Sequence, residues 1–111
     1  MIEAIIRDYL LSVLSVPVYI DVPVNPPAKR VVIERTGGGK DNQVRSAMVA
    51  VQSYGATKAE AAGIHEDVLA KLPEIATGNI VSACDVNAEY DYTDTTTKQY
   101  RYQAVFDITY Y

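Results

Sequence analysis

Gly37-Gly38-Gly39-Lys40 is the stretch that most invites a chemical reading, because glycine-rich turns followed by lysine cradle phosphates. Such a loop takes a glycine five positions before its last one and a hydroxyl residue directly after the lysine. Those positions hold Glu34 and Asp41 here, and the run joins strand to strand instead of opening a helix whose N-terminus would hold an anion. His65 is the sole histidine and Cys84 the sole cysteine, too few for a four-coordinate metal site. A serine or cysteine triad would need that same histidine, and neither Ser53 nor Cys84 stands in a nucleophile elbow. Asp85, Glu89, Asp91 and Asp94 cluster on one strand and its turn, but paired carboxylates work as acid and base only where their surroundings split their pKa values. These four are expected on a solvated face. The calcium-loop spacing is missing as well. The residues therefore imply no catalytic group, no cofactor and no metal.

The elements that would carry these residues are legible from periodicity. Ile2, Ile5, Ile6, Tyr9, Leu10, Val13 and Leu14 recur at helical steps and define an amphipathic helix that Pro17 closes. Val18–Val22 is β-prone but lies close to Pro23, Pro26 and Pro27, so it suits a sheet edge. Arg30 to Thr36 is a stronger strand. The glycine run, Gly37 to Asn42, is expected to be a loop. Arg45 to Tyr54 follows as a strand with Ala47, Val49 and Val51 on one face and Met48 and Ala50 on the other, which implies a central strand covered on both sides.

Thr57 and Glu60 stand three apart as a capping box requires, ahead of a helix with Ala61, Ile64, Val68 and Leu72 as its stripe. Pro73 and Gly78 mark its end. The last third reads as a long β-hairpin. In its first strand Ile80, Ser82, Cys84, Val86, Ala88, Tyr90 and Tyr92 share a face. In its second, Tyr100, Tyr102, Ala104, Phe106, Ile108 and Tyr110 do, with Thr93–Thr97 between. Tyr90, Tyr92, Tyr100, Tyr102 and Tyr110 are thus expected side by side. The whole is one α+β domain over residues 1–111: a mostly antiparallel sheet of about four to five strands, two helices on one face and a C-terminal hairpin.

Composition narrows the function. A chain of 111 residues suits a single domain, and its 49% apolar and 22% charged residues are ordinary for a globular protein. A net charge of −4 lacks the basic footprint of a dedicated nucleic-acid binder. No run of residues is apolar enough to span a bilayer, and Glu3, Arg7 and Asp8 interrupt the N-terminal stretch where a signal peptide would be apolar. Cys84, within an apolar alternating run, is expected in the core. Nine tyrosines against one phenylalanine and no tryptophan favour half-wet interfaces.

Taken in order, Val16-Pro17-Val18-Tyr19 with Asp21-Val22-Pro23, then Val31-Val32-Ile33-Glu34-Arg35-Thr36-Gly37-Gly38, resemble the tail terminator (tail completion) proteins of siphophages. So do Val51-Gln52-Ser53-Tyr54-Gly55-Ala56-Thr57-Lys58 and the closing Arg101-Tyr102-Gln103-Ala104-Val105-Phe106-Asp107. The resemblance covers nearly the whole chain. It implies a non-enzymatic subunit of a hexameric ring that caps the tail tube, stops its polymerisation and offers a head-joining surface. The implied partners are further copies of the chain, the major tail tube protein and a head-completion or connector protein. DNA would pass through without specific binding, and no membrane is involved. The place would be the head-proximal end of the virion tail, assembled in host cytoplasm.

On that reading Gly37, Gly38, Gly39, Lys40, Asp41 and Asn42 form a contact loop. Val18–Val22 and the hairpin offer subunit patches, with Tyr19, Tyr90, Tyr92, Tyr100 and Tyr102 at the interface, and Asp91 and Asp94 line the lumen, where negative charge would repel phosphate. The competing readings are a head-completion or connector (neck) subunit and a small ferredoxin-like ligand-binding domain, which would dimerise around a pocket.

Overall fold

A computed structural model describes residues 1–41 and 44–111. The chain folds in the order α1 (Ile2–Val13), β1 (Val18–Tyr19), β2 (Arg30–Asp41), β3 (Val44–Gly55), α2 (Lys58–Lys71), a 3₁₀ turn (Leu72–Thr77), β4 (Val81–Asp91) and β5 (Tyr100–Tyr110). One five-stranded sheet runs β1-β2-β3-β5-β4, antiparallel except for the β1–β2 pair. The α+β architecture is therefore as the periodicities imply.

Both helices lie on the same face of the sheet. Ile2, Ile6 and Leu10 of α1, Ala61 and Val68 of α2, and Leu72 and Ile75 of the 3₁₀ turn are buried. Beneath them lie Val31 and Ile33 of β2, Val49 and Val51 of β3, and Ala104, Phe106 and Ile108 of β5. Alternate residues of a strand face the same side, so these strand positions build the core while their neighbours face outward. Phe106, fully buried, is the largest such side chain, and its removal to alanine would cost about 3–5 kcal/mol.

Local chemistry explains the helix ends. Thr57 Oγ1 accepts the Glu60 backbone amide at 3.2 Å, which caps α2. Glu60 Oε1 reaches back to the Ala56 amide at 3.0 Å, one residue upstream of the capping-box partner. Pro73 lies in the 3₁₀ turn that follows α2. Leu14 is already extended, so α1 stops three residues ahead of Pro17. The Tyr9 hydroxyl donates to the Lys71 carbonyl at 3.0 Å and Lys71 Nζ donates to the Val13 carbonyl at 3.1 Å, which ties the two helices together.

Four expectations need correction. The glycine run is not a loop: Gly37 to Asp41 continue β2 and pair with β3 in register from Gly37↔Met48 to Asp41↔Val44. The irregularity between Arg35 and Gly37 absorbs the break in the pattern, since a bulge lets a strand carry an extra residue. Asn42, the last residue of the expected loop, lies outside the described residues. The edge strand β1 is also shorter than Val18–Val22, and it meets β2 only at Val31 and Val32.

The third correction concerns β3. It is central in the sheet, yet both helices pack on one face, and Met48 on the other is 40% exposed. The fourth has the largest consequence. A register shift between Val86 and Ala88 places one extra residue in β4, and a one-residue slip exchanges the two faces of a strand. Cys84 still pairs with Ile108 on the helix side, but beyond the bulge Glu89 pairs with Ala104 and Asp91 with Tyr102. Glu89 and Asp91 therefore point towards α2, and Tyr90 and Tyr92 point away from it. The five tyrosines are divided between the two faces.

Candidate functional site

The face of the sheet opposite the helices is where the sequence puts its unusual chemistry. β2 contributes Arg30, Val32 and Glu34; β3 contributes Met48, Ala50, Gln52 and Tyr54. β5 adds Arg101, Gln103, Val105 and Asp107, and β4 adds Tyr90, with Tyr92 just past its end donating its amide to the Arg101 carbonyl. No described helix packs here. Ala50 and Val32 are nonetheless buried, as are Arg30 and Tyr54 at one end of the face.

A hydrogen-bonded row crosses the middle of this face. The Tyr54 hydroxyl donates to Gln52 Oε1 at 3.1 Å, and Gln52 Nε2 donates to Gln103 Oε1 at 2.8 Å. Gln103 Nε2 in turn donates to the Tyr90 hydroxyl. The row fixes four side chains that would otherwise be free to rotate, and it spans β3, β5 and β4. Such pre-ordering lowers the entropy lost when a surface is covered.

One end of the face is cationic and aromatic. The Arg30 guanidinium lies 3.9 Å from the centre of the Tyr54 ring. Arg101 sits 4.5 Å from the Tyr92 ring centre and 5.9 Å from that of Tyr54. Arg101 Nε donates to the Tyr92 carbonyl at 2.7 Å, so backbone as well as ring holds it. Tyr90 and Tyr92 meet edge to face at 5.8 Å, and their exposures are 42% and 44%. At the other end Asp85 and Asp107 stand opposite each other across β4 and β5. Like charges in that position repel. Asn87 Nδ2 donates to Asp107 at 2.8 Å, which relieves only one of them.

The remaining singled-out residues are on the helix side or in the hairpin turn. His65 is buried, stacks on Tyr102 with ring centres 5.1 Å apart, and lies 3.1 Å from Glu89 Oε1 through Nε2. Ser53, also buried, pairs with Tyr102 in the ladder, but among the described residues its Oγ and His65 Nδ1 each lack a hydrogen-bond partner. They are thus not joined as nucleophile and base. Burial pushes the Cys84 thiol up to about 12. Among the described residues no three His, Cys, Asp or Glu side chains converge as a metal site.

Asp91 and Asp94 are both locally engaged. Asp91 accepts from the Thr93 hydroxyl and amide and pairs with Lys58 at 3.2 Å; these contacts hold its carboxyl down at about 2. Asp94 accepts the Thr96 and Thr97 amides, which lowers its pKa as well. Tyr19 is half-buried on β1 at the sheet edge, and Tyr100 and Tyr102 are half-buried on the helix side. Of the expected interface tyrosines, Tyr90 and Tyr92 are exposed on the open face, and Tyr19, level with Val32, is half-buried at its β1 margin.

The Arg30–Tyr54 stack went unnoticed in the sequence. Its one signal was that Lys29-Arg30 is the only adjacent pair of basic residues. Adjacency could not reveal that the two diverge, Lys29 to an ion pair with Glu60 at 3.2 Å and Arg30 to the Tyr54 ring. Comparison with known proteins gave no matching family model and no matching curated protein.

Proposed function

We propose that the chain is a tail terminator subunit of a long-tailed phage, which closes with further copies into a hexameric ring on the tail tube. The observation that carries this reading is the uncovered sheet face, with an ordered polar row flanked by exposed Met48, Tyr90 and Tyr92. A surface pre-ordered in this way suits a protein partner better than a small substrate. Tyrosine, methionine and arginine are also the residues enriched where proteins meet.

Charge supports a head-to-tail arrangement. A closed ring of more than two copies joins two different patches of each subunit. The open face carries Arg30 and Arg101 at one end and Asp85 and Asp107 at the other, so opposite ends of neighbouring copies attract. The ordered likeness of the sequence to tail terminators supplies the six-fold number and the partners: tube protein below, a head-completion or connector protein above. In this arrangement Gly37–Asp41 meets a partner as the end of a strand pair instead of as a loop, and Asp91 and Asp94 are the candidate lumen residues.

Light scattering on the purified chain, alone and with tail tube protein, tests the proposal. The expected result is a mass of six subunits, either directly or on addition of tube protein. A stable dimer that ignores tube protein would overturn it.

A further inference from the structure

A cleft of about 400 Å³ opens at the cationic end of the sheet, lined by Arg30, Tyr54, Gly55, Ala56, Lys98 and Gln99 among others. Its cations come from distant parts of the chain, Arg30 from the start of β2 and Lys98 from the turn before β5. Lys98 is held with φ at 54°, a left-handed conformation that side chains other than glycine, asparagine and aspartate adopt at a cost.

Arg30 is the unusual member. It is only 7% exposed, and no carboxylate lies within ion-pairing distance of it among the described residues. Nη1 donates to the Pro27 carbonyl at 3.0 Å, but Nε is buried with no acceptor among the described residues. The Tyr54 ring compensates part of the charge. Glu60, which bonds the Ala56 amide at the cleft, is taken by Lys29 instead. A buried cation is ordinarily paired, and an unfilled donor there costs as much as a lost hydrogen bond.

We infer that the cleft binds one oxyanion group, a carboxylate or a phosphate, between Arg30 and Lys98. The planar guanidinium, clamped on Tyr54, lines the cleft, where the terminal N–H groups not taken by Pro27 can donate to the oxygens of such a group. Lys98, from the turn before β5, adds a point charge to the same cleft. Binding by the isolated subunit is independent of ring assembly, and separate measurements read the two.

The test is a titration of the ¹⁵N-labelled chain with sodium phosphate, sodium acetate and sodium chloride at matched ionic strength, followed through the Arg30 Nε–H resonance. A saturable shift with phosphate and acetate but not chloride is expected, identifying any oxyanion, side-chain carboxylates included. Saturation with phosphate alone narrows the ligand to phosphate groups and still supports the site. Lys98→Asn, which keeps the left-handed turn accessible and removes the charge, should bind phosphate roughly tenfold more weakly, as loss of a charge-assisted contact predicts. An equal, non-saturating drift in all three salts would overturn the inference, as would unchanged phosphate affinity in Lys98→Asn. Arg30→Lys assigns the resonance; should that variant not fold, the exposed Lys98 position still decides the matter.

Discussion

Cys84 and His65 show how far a residue's meaning depends on what its neighbours on other strands do. The alternation around Cys84 places it in the core, and there it is, 4% exposed and paired with Ile108. Its thiol, raised from an ordinary 9.0 to about 12 by burial, has almost no thiolate at neutral pH. Native protein at pH 8 should therefore react with a thiol reagent such as dithionitrobenzoate at least about a hundredfold more slowly than urea-unfolded protein, because the thiolate is the nucleophile. The sign of the linkage follows: the folded thiol titrates above the unfolded one, so its stabilising contribution is intact below pH 9 and is lost as pH climbs towards about 12. Equal reaction rates for folded and unfolded chains would contradict this placement. His65 was less legible. Its place at the margin of the α2 stripe could be read, but not its pairing with Glu89, because alternation assigned Glu89 to the solvent face. The Arg30–Tyr54 stack was illegible for a similar reason: it joins residues 24 positions apart through a register that only the folded sheet defines.

At the scale of elements, regular periodicity was readable and its interruptions were not. Both helices, the central strand and the hairpin follow from spacing and capping. The glycine run was misread because three glycines look like a turn when only local conformation is considered. None of the described glycines has a positive φ, so the turn-forming capacity of the run goes unused. At Gly38 what matters is space. A Cβ there would come within 2.7 Å of the Ser46 carbonyl oxygen and would strike the Arg35 guanidinium, whose Nε donates to the Gly37 carbonyl. At Gly37 the nearest atoms, in Met48, are 4.0 Å away. Gly38→Ala should cost about 1–3 kcal/mol through overpacking. Gly37→Ala should be neutral or stabilising by up to about 1 kcal/mol through the unfolded state. Urea denaturation of the two variants checks the contrast, and equal midpoints would show that the backbone yields at Gly38. Deleting this segment would remove four ladder pairs, Gly38↔Ala47 to Asp41↔Val44, so it would damage the sheet instead of merely trimming a loop.

For the whole molecule, the decisive property is that helices cover one side of the sheet and leave the other bare. Met48 lies on that bare side opposite Asp107, at 40% exposure. Met48→Glu should leave the subunit's stability within about 0.5 kcal/mol, as expected for a surface change. The same change buries a second negative charge beside Asp107 within the proposed subunit contact and should abolish six-fold assembly as seen by light scattering. A variant that still forms the ring would move the contact to another surface. The α+β class is legible in the sequence, since segregated strands and helices leave few ways to build one core. Which side stays bare was not, because each strand alone reads as having one apolar face and says nothing about what covers the other.

The two outermost long strands, β2 and β4, both depart from regular pairing, β2 between Arg35 and Gly37 and β4 at Val81–Ala83 and Val86–Ala88. A straight outer strand is a template on which an identical chain can dock edge to edge and continue without limit. Kinks at both margins spoil that template. Copies of the chain that meet across the proposed contact surface would then do so without seeding amyloid fibrils.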